Sequence, residues 1–262
     1  MKAVRCGFAA VVCVTGIAIA STSAGAGEAG SGKCPKTNIV RGAGDLAPTI
    51  ERYQKLLGPD NGGVAQSFPA GRREINWDGV PDELSEPNAF PPDFFNAPAE
   101  PRARGVVLST PGDHLGVSAD SDNPAGAAVR FGDINPTYVD TFTTNSPEKL
   151  FSPVGSNVAT IKFYVPGTDR AATTRGFGAV YTDVDSKETA AFRFFDKSGK
   201  VLCTYAVPKS KDGLSFLGVA YAKPVVGKVR IVYGTNKLGP DDSKKNDVAV
   251  MDDFIYGEPQ AA

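Results

Sequence analysis

At 262 residues, 41% of them hydrophobic and 22% charged, the chain is long enough to bury the core of one large domain or two small ones. Its 28 Lys and Arg against 29 Asp and Glu give a formal charge of -1, and the basic residues are interleaved with acids along the chain. That balance excludes the concentrated basic footprint of a nucleic-acid binder, so no nucleic acid is expected as a partner.

The first residues read as an export signal. Lys2 and Arg5 precede an apolar run from Phe8 to Ala20 that is shorter than the ~20 residues a spanning helix needs. Small residues follow, with Ala18-Ile19-Ala20 and Thr22-Ser23-Ala24 as cleavage sites. Residues 1–24 are therefore expected to be a cleaved signal peptide, giving a secreted or periplasmic protein with no membrane span in the mature chain. Removal of Cys6 and Cys13 leaves Cys34 and Cys203. In an oxidising compartment these two are available for a disulfide; equally, Cys203, on the strand face of Val201, Tyr205 and Val207, suits a small buried hydrophobe.

Residues 25–71 read as linker and helix. Gly25 to Gly32 can bury nothing. A helix is expected over 45–57, where Asp45 can cap, Leu46, Ile50, Tyr53 and Leu57 form one apolar stripe, and Gly58-Pro59 stops the run. Such a stripe must dock, and its expected role is a brace against the following domain.

A β domain is expected over 72–259. Ile75 and Trp77 alternate on a first strand, with the Trp in the core. From Val80 to Arg104, six prolines forbid regular ladders while Phe90, Phe94 and Phe95 supply apolar anchors that either pack the loop down or line a ligand groove. Strands are expected near 104–109, 115–118 and 127–131, then a polar loop over 132–147, then a strand at 158–165. Between Arg175 and Gly257, six segments rich in Val, Phe, Tyr, Ile and Thr recur, separated by Gly, Pro, Asp and Ser clusters. Val229, Ile231 and Tyr233 alternate with Lys228, Arg230 and Val232, and Phe192 and Phe194 flank Arg193, so each strand has a buried face and a wet one. Asp196 to Lys200 supplies a hairpin turn. The pattern predicts an all-β protein, a jelly-roll β-sandwich with a short N-terminal helix.

Catalytic signals are sparse. His114 is the single His, and no Gly-x-Ser-x-Gly elbow or phosphate-cradling glycine turn is present. Acid clusters carry more information. Asp183-Val184-Asp185 and Asp252-Asp253 sit at strand ends, and the neighbouring first and last strands of a jelly roll would bring Asp78 to the latter. Like charges so crowded need a cation, protons or water, and hard oxygen ligands suit calcium, so Asp78, Asp183, Asp185, Asp252 and Asp253 are the candidate ligands of a structural Ca2+.

The blocks Gly71 to Pro81, Gly176 to Asp185, Leu214 to Tyr221 and Val250 to Pro259 resemble a group of uncharacterised secreted bacterial proteins. Their module is similar to the lectin-like jelly rolls of carbohydrate-binding modules and of exported, surface-sorted proteins. The resemblance implies a non-catalytic module that binds polysaccharide, a cell-surface glycan or another extracellular surface. Phe94, Tyr138 and Phe142 are the candidate aromatics for stacking on sugar rings. The alternatives are a glycoside hydrolase or lyase on the same scaffold, or a structural, adhesive envelope protein.

Overall fold

The structure, a computed structural model, describes residues 34–240 and 245–262 in addition to Met1. The expected signal peptide lies outside the described residues, as does the glycine linker. Among the described residues, no helix is long and apolar enough to cross a membrane.

In chain order, β1 (Thr37–Ala43) leads through α1 (Ala47–Leu57) to β2 (Arg72–Ile75), β3 (Val106–Ser109) and β4 (His114–Val117). A short α2 (Tyr138–Thr141) precedes β5 (Phe151–Val154), β6 (Val158–Phe163), β7 (Ala172–Thr173) and β8 (Gly176–Val184). There follow β9 (Ala191–Phe195), β10 (Val201–Ala206), β11 (Ser210–Tyr221), β12 (Lys228–Val232), β13 (Val250–Gly257) and β14 (Gln260–Ala261). One sheet has the order β1-β11-β8-β13-β5-β4, with β2 also paired to β13; the other has the order β10-β9-β12-β6-β3. β7 and β14 form a small ribbon.

Within these sheets, β5, β13, β8 and β11 lie side by side in one layer and β6, β12, β9 and β10 in the other, and from β5 onward the chain crosses between layers at every step except the β9–β10 hairpin. That double Greek key is the jelly roll expected from the sequence. The layers close on an apolar core, because the alternating side chains of both inner faces interdigitate. Trp77 lies at its centre, fully buried, stacked on Phe151 at 4.3 Å and edge-on to Phe90, Phe95 and Phe254. Its Nε1 donates to the Asp252 carbonyl at 3.1 Å. The Pro-rich segment after Trp77 is packed down by Phe90, Phe94 and Phe95.

Three differences from the sequence reading have physical causes. The sandwich starts before residue 72, because β1 pairs along its whole length with β11, from Thr37 opposite Tyr221 to Ala43 opposite Ser215. Residues 127–131 are not a strand: Arg130 and Phe131 adopt left-handed φ values of 54° and 64°, which turn Phe131 into a satellite apolar cluster. β5 carries Ser152 and Pro153, a poor strand signature, and is held as a strand by pairing with β4.

The helix begins at Ala47, with the Asp45 carboxylate accepting the Ala47 N–H at 3.2 Å. Leu46, Tyr53 and Leu57 are buried on the outer face of the first sheet. There Gly178 and Gly218 face each other in register, and the Tyr53 ring fills the space two side chains would take. A Cβ on Gly218 would come within 2.6 Å of that ring. The Tyr53 hydroxyl donates to the Val219 carbonyl at 3.0 Å.

Two long-range ties complete the body. Cys34 and Cys203 form a disulfide that links the entry to β1 with β10 of the opposite sheet. Arg73 and Glu258, both buried, make a two-pronged ion pair of 2.7 and 2.9 Å, while the remaining guanidinium hydrogens go to the Gly62, Val64, Gln66 and Ala103 carbonyls.

Candidate functional site

The outer faces of the two sheets are unlike. The central strand β8 is buried at every position, because one side meets the core and the other meets α1. In the second sheet the pattern is alternating: β6, β9 and β12 bury every second residue and leave the rest partly or fully exposed. One broad surface of the sandwich therefore stays bare.

Register places its side chains in rows. One row runs Val201, Phe195, Lys228, Lys162, Val107; the next runs Thr204, Arg193, Arg230, Thr160, Ser109. Four cations stand on these rows, and no carboxylate does. Lys228 lies over the Phe195 ring at 4.2 Å and Arg193 at 5.6 Å, contacts that hold charged heads near one ring. Among the described residues, Lys162, Lys228 and Arg230 have no carboxylate within ion-pair distance. Charges interleaved along the sequence are thus segregated in space, because alternation sends Lys and Arg of three strands to one side.

At the end of this face, where β6 and β9 finish and β12 begins, an open concavity of about 360 Å³ is lined by Lys162, Lys197 and Lys228 together with Tyr164, Ser198 and Asp196. Asp196 is its one acid. The Asp196 Oδ1 accepts from the Ser198 N–H at 2.9 Å, the Ser198 hydroxyl at 2.7 Å and the Lys200 N–H at 2.9 Å, and the Ser198 hydroxyl foremost holds its pKa below the ordinary value. The acid is therefore bound up in the hairpin turn. Gly227 allows this turn to approach, since a Cβ there would lie 2.9 Å from the Lys197 Cα.

The aromatics expected to bind sugar are elsewhere. Tyr138 and Phe142 are fully buried, stacked on each other at 4.5 Å in a cluster with Leu150, Leu238 and Val250. Phe94 is packed against Phe90 and Phe95 and covered by the Arg102 guanidinium at 4.9 Å. None of the three offers an open ring face. The sequence reading of these rings is corrected accordingly: segments that lack regular ladders bury their own aromatics to offset the missing contacts.

The acids expected to bind calcium fall into two groups. Asp78 joins Asp252 and Asp253, as pairing of β2 with β13 requires. Asp183 and Asp185 do not join them, because β8 and β13 pair with Thr182 opposite Val250, a register that carries Asp185 past Asp252 to Asp247. The Asp185 N–H accordingly donates to Asp247 Oδ1 at 3.0 Å, and Asp183 Oδ1 accepts the Asp212 N–H at 2.8 Å. The five carboxylates therefore do not form one ligand sphere.

Protein donors already engage the first group. Asp252 accepts from the Asn145 N–H at 2.6 Å, the Ser146 hydroxyl at 3.0 Å and the Asp253 N–H at 2.8 Å, and Asp78 accepts the Lys149 N–H at 2.9 Å. Burial first, and then the neighbouring carboxylates, push both Asp252 and Asp253 above the ordinary carboxylate range. They do not line the concavity at the end of the open sheet.

A third set joins Asp120 and Asp122, an acid cluster visible in the sequence, to Glu148, which the sequence does not connect with them; oxygens of the three lie within 4.8 Å of one another. Here too the protein supplies partners: the buried Lys149 ammonium reaches Asp120 at 2.9 Å and Asp82 at 2.8 Å, and Glu148 accepts from Ser121. His114, the residue any nucleophilic device would need, pairs with Glu86 at 3.1 Å.

No family model matches the chain, and no curated protein matches it. Among solved structures, the crystal structure of the Bacteriophage CBA120 tailspike protein 4 enzymatically active domain is similar at 13% identity and a TM-score of 0.24. The match covers 69% of this chain and 22% of that one, and a likeness this distant carries no argument about activity.

Proposed function

We propose that this chain is an exported, non-catalytic binding module that holds an extracellular glycan on the bare face of its five-stranded sheet. The observation that carries the reading is the asymmetry of the sandwich: α1 seals one outer surface, while the other is left polar, in register and open beside a concavity. A rigid sheet is a good platform for such binding because its side chains are pre-organised and little entropy is lost on contact.

The Cys34–Cys203 disulfide supports an oxidising compartment, where glycans are the abundant polymers. Catalysis is disfavoured by the setting of Asp252 and Asp253, whose carboxylates accept from Asn145 and Ser146 and do not line the concavity. A calcium ion is proposed at Asp120, Asp122 and Glu148 only, added to carboxylates that the protein already satisfies in part. The test is affinity electrophoresis of the exported chain through gels containing a panel of neutral and charged polysaccharides. Retardation by at least one is expected, and free migration through all of them overturns the reading.

A further inference from the structure

We infer that the glycan is acidic, a polysaccharide bearing carboxylate or sulfate groups, and that Lys162, Lys228 and Arg230 hold its charges. This rests on the open sheet face being the binding surface, and it adds the chemical class of ligand. Lys228 stands opposite Lys162 on the neighbouring strand, and Arg230 lies two residues along β12 on the same side. Adjacent strands are about 4.8 Å apart and alternate residues about 6.8 Å apart, so the three residues are rooted in a triangle on the sheet from which their side chains can meet successive anionic groups on one chain. Lys197, at the rim of the concavity, continues the positive surface beyond the sheet.

The arrangement has a cost that only an anion removes. Like charges set side by side across strands repel, and no protein carboxylate stands among them on these rows. A neutral glycan would be held by ring stacking on an open face, yet Phe195 is half-buried with its ring taken by Lys228, and Tyr164 at the concavity is half-buried as well. The same fact disfavours nucleic acid, since single strands are gripped by stacking bases on open aromatic rings and duplexes by a wider basic footprint than this. Charge complementarity with a flexible, non-stacking polyanion is what remains.

The experiment measures binding of the exported chain to dextran sulfate, polygalacturonate, neutral dextran and single-stranded DNA by calorimetry at two salt concentrations. At least one acidic polysaccharide is expected to bind and to weaken as salt rises, with neutral dextran not binding. Lys162→Ala combined with Lys228→Ala should weaken that binding about tenfold or more with a Tm no lower than that of the wild type, because each lost ammonium removes a charge-assisted contact. Lys55→Ala with Arg52→Ala, on the helix side, is the matched control for loss of charge alone and should leave binding within about twofold.

Equal losses in the two double variants would show diffuse polyanion attraction and overturn the assignment. Neutral dextran binding as well as its sulfated form would overturn the acidic class while leaving the glycan reading standing. DNA binding more tightly than either acidic polysaccharide would replace the partner. If no polysaccharide bound at all, the glycan reading itself would fall.

Discussion

The two sheets of this sandwich share a core but differ in what their backs do. The back of the β8 sheet is a second interior, closed by Tyr53 lying on Gly178 and Gly218; the back of the β9–β12 sheet is a row of cations with nothing laid across it. The same strand alternation produces both. Where the outward residues are Gly, Ala and Val, another element must cover them; where they are Lys, Arg and Thr, water does. Stability should therefore reside on one back and binding on the other, and substitutions can separate them.

The largest effect is expected where the covered back is opened. Tyr53→Ala removes a buried ring and its hydrogen bond to Val219 and leaves a cavity over two glycines. A loss of about 3–5 kcal/mol is expected from urea unfolding. A loss below about 1 kcal/mol would mean that α1 is a loose cover and that the two backs are alike after all.

Next in size is the link between the sheets. Cys203→Ser abolishes the disulfide to Cys34, whose partners are 169 residues apart, and should cost about 2–5 kcal/mol by thermal or chemical unfolding. The loss should leave the open face intact, since Thr204 and Arg193 are still paired by the β9–β10 ladder. Binding lost in proportion to stability would show that the open face depends on the staple.

Legibility in the sequence follows the same division. The open face was readable, because Arg193 between Phe192 and Phe194, and Lys228 and Arg230 alternating with Val229 and Ile231, state which side is wet. What could not be read was that three strands would align these cations, since register is a property of pairing and not of any one segment. The covered face announced itself less clearly. Gly176 to Val180 holds no polar residue, the mark of a strand buried on both sides, and the glycines that admit Tyr53 look like turn residues in isolation. β1 was missed because seven residues ending in Arg-Gly-Ala carry little strand signal; it is formed by its partner β11. Asp78 meeting Asp252 and Asp253 was readable from strand adjacency, whereas the separation of Asp183 and Asp185 depended on the β8–β13 register.

A third expectation concerns pH. Asp252 and Asp253, raised by burial first and then by neighbouring carboxylates, bind protons in the folded chain that the unfolded chain has already released between the ordinary carboxylate range and their raised values. Stability must therefore fall as pH rises through that window and recover as pH is lowered. Glu86, raised chiefly by burial beside His114, acts in the same sense, while the exposed Glu51 and Asp196, held low by Lys55 and by Ser198, act in the opposite one. The discriminating measurement is the difference between wild type and Asp253→Asn: the variant should show a flatter rise in Tm on acidification from about pH 8 to about pH 5. Parallel profiles would mean that the pair is comfortably ionised, held by the Asn145 and Ser146 donors.

The smallest effect on folding is expected at the open back, and its smallness is the point. Arg230→Ala removes an exposed cation with no carboxylate in reach and relieves repulsion from Lys228 and Arg193, while β12 keeps Val229 and Ile231 in the core. Its change in unfolding free energy should lie within about 0.5 kcal/mol of zero, an order of magnitude below that of Tyr53→Ala. A stabilised variant would fit best, because like charges on neighbouring strands cost folding free energy that the substitution removes. If Arg230→Ala instead destabilised the chain by about 2 kcal/mol or more, Arg230 would be holding the sheet together. The open back would then be structural in the same sense as the covered one, and the division of labour between the two sheets would be gone.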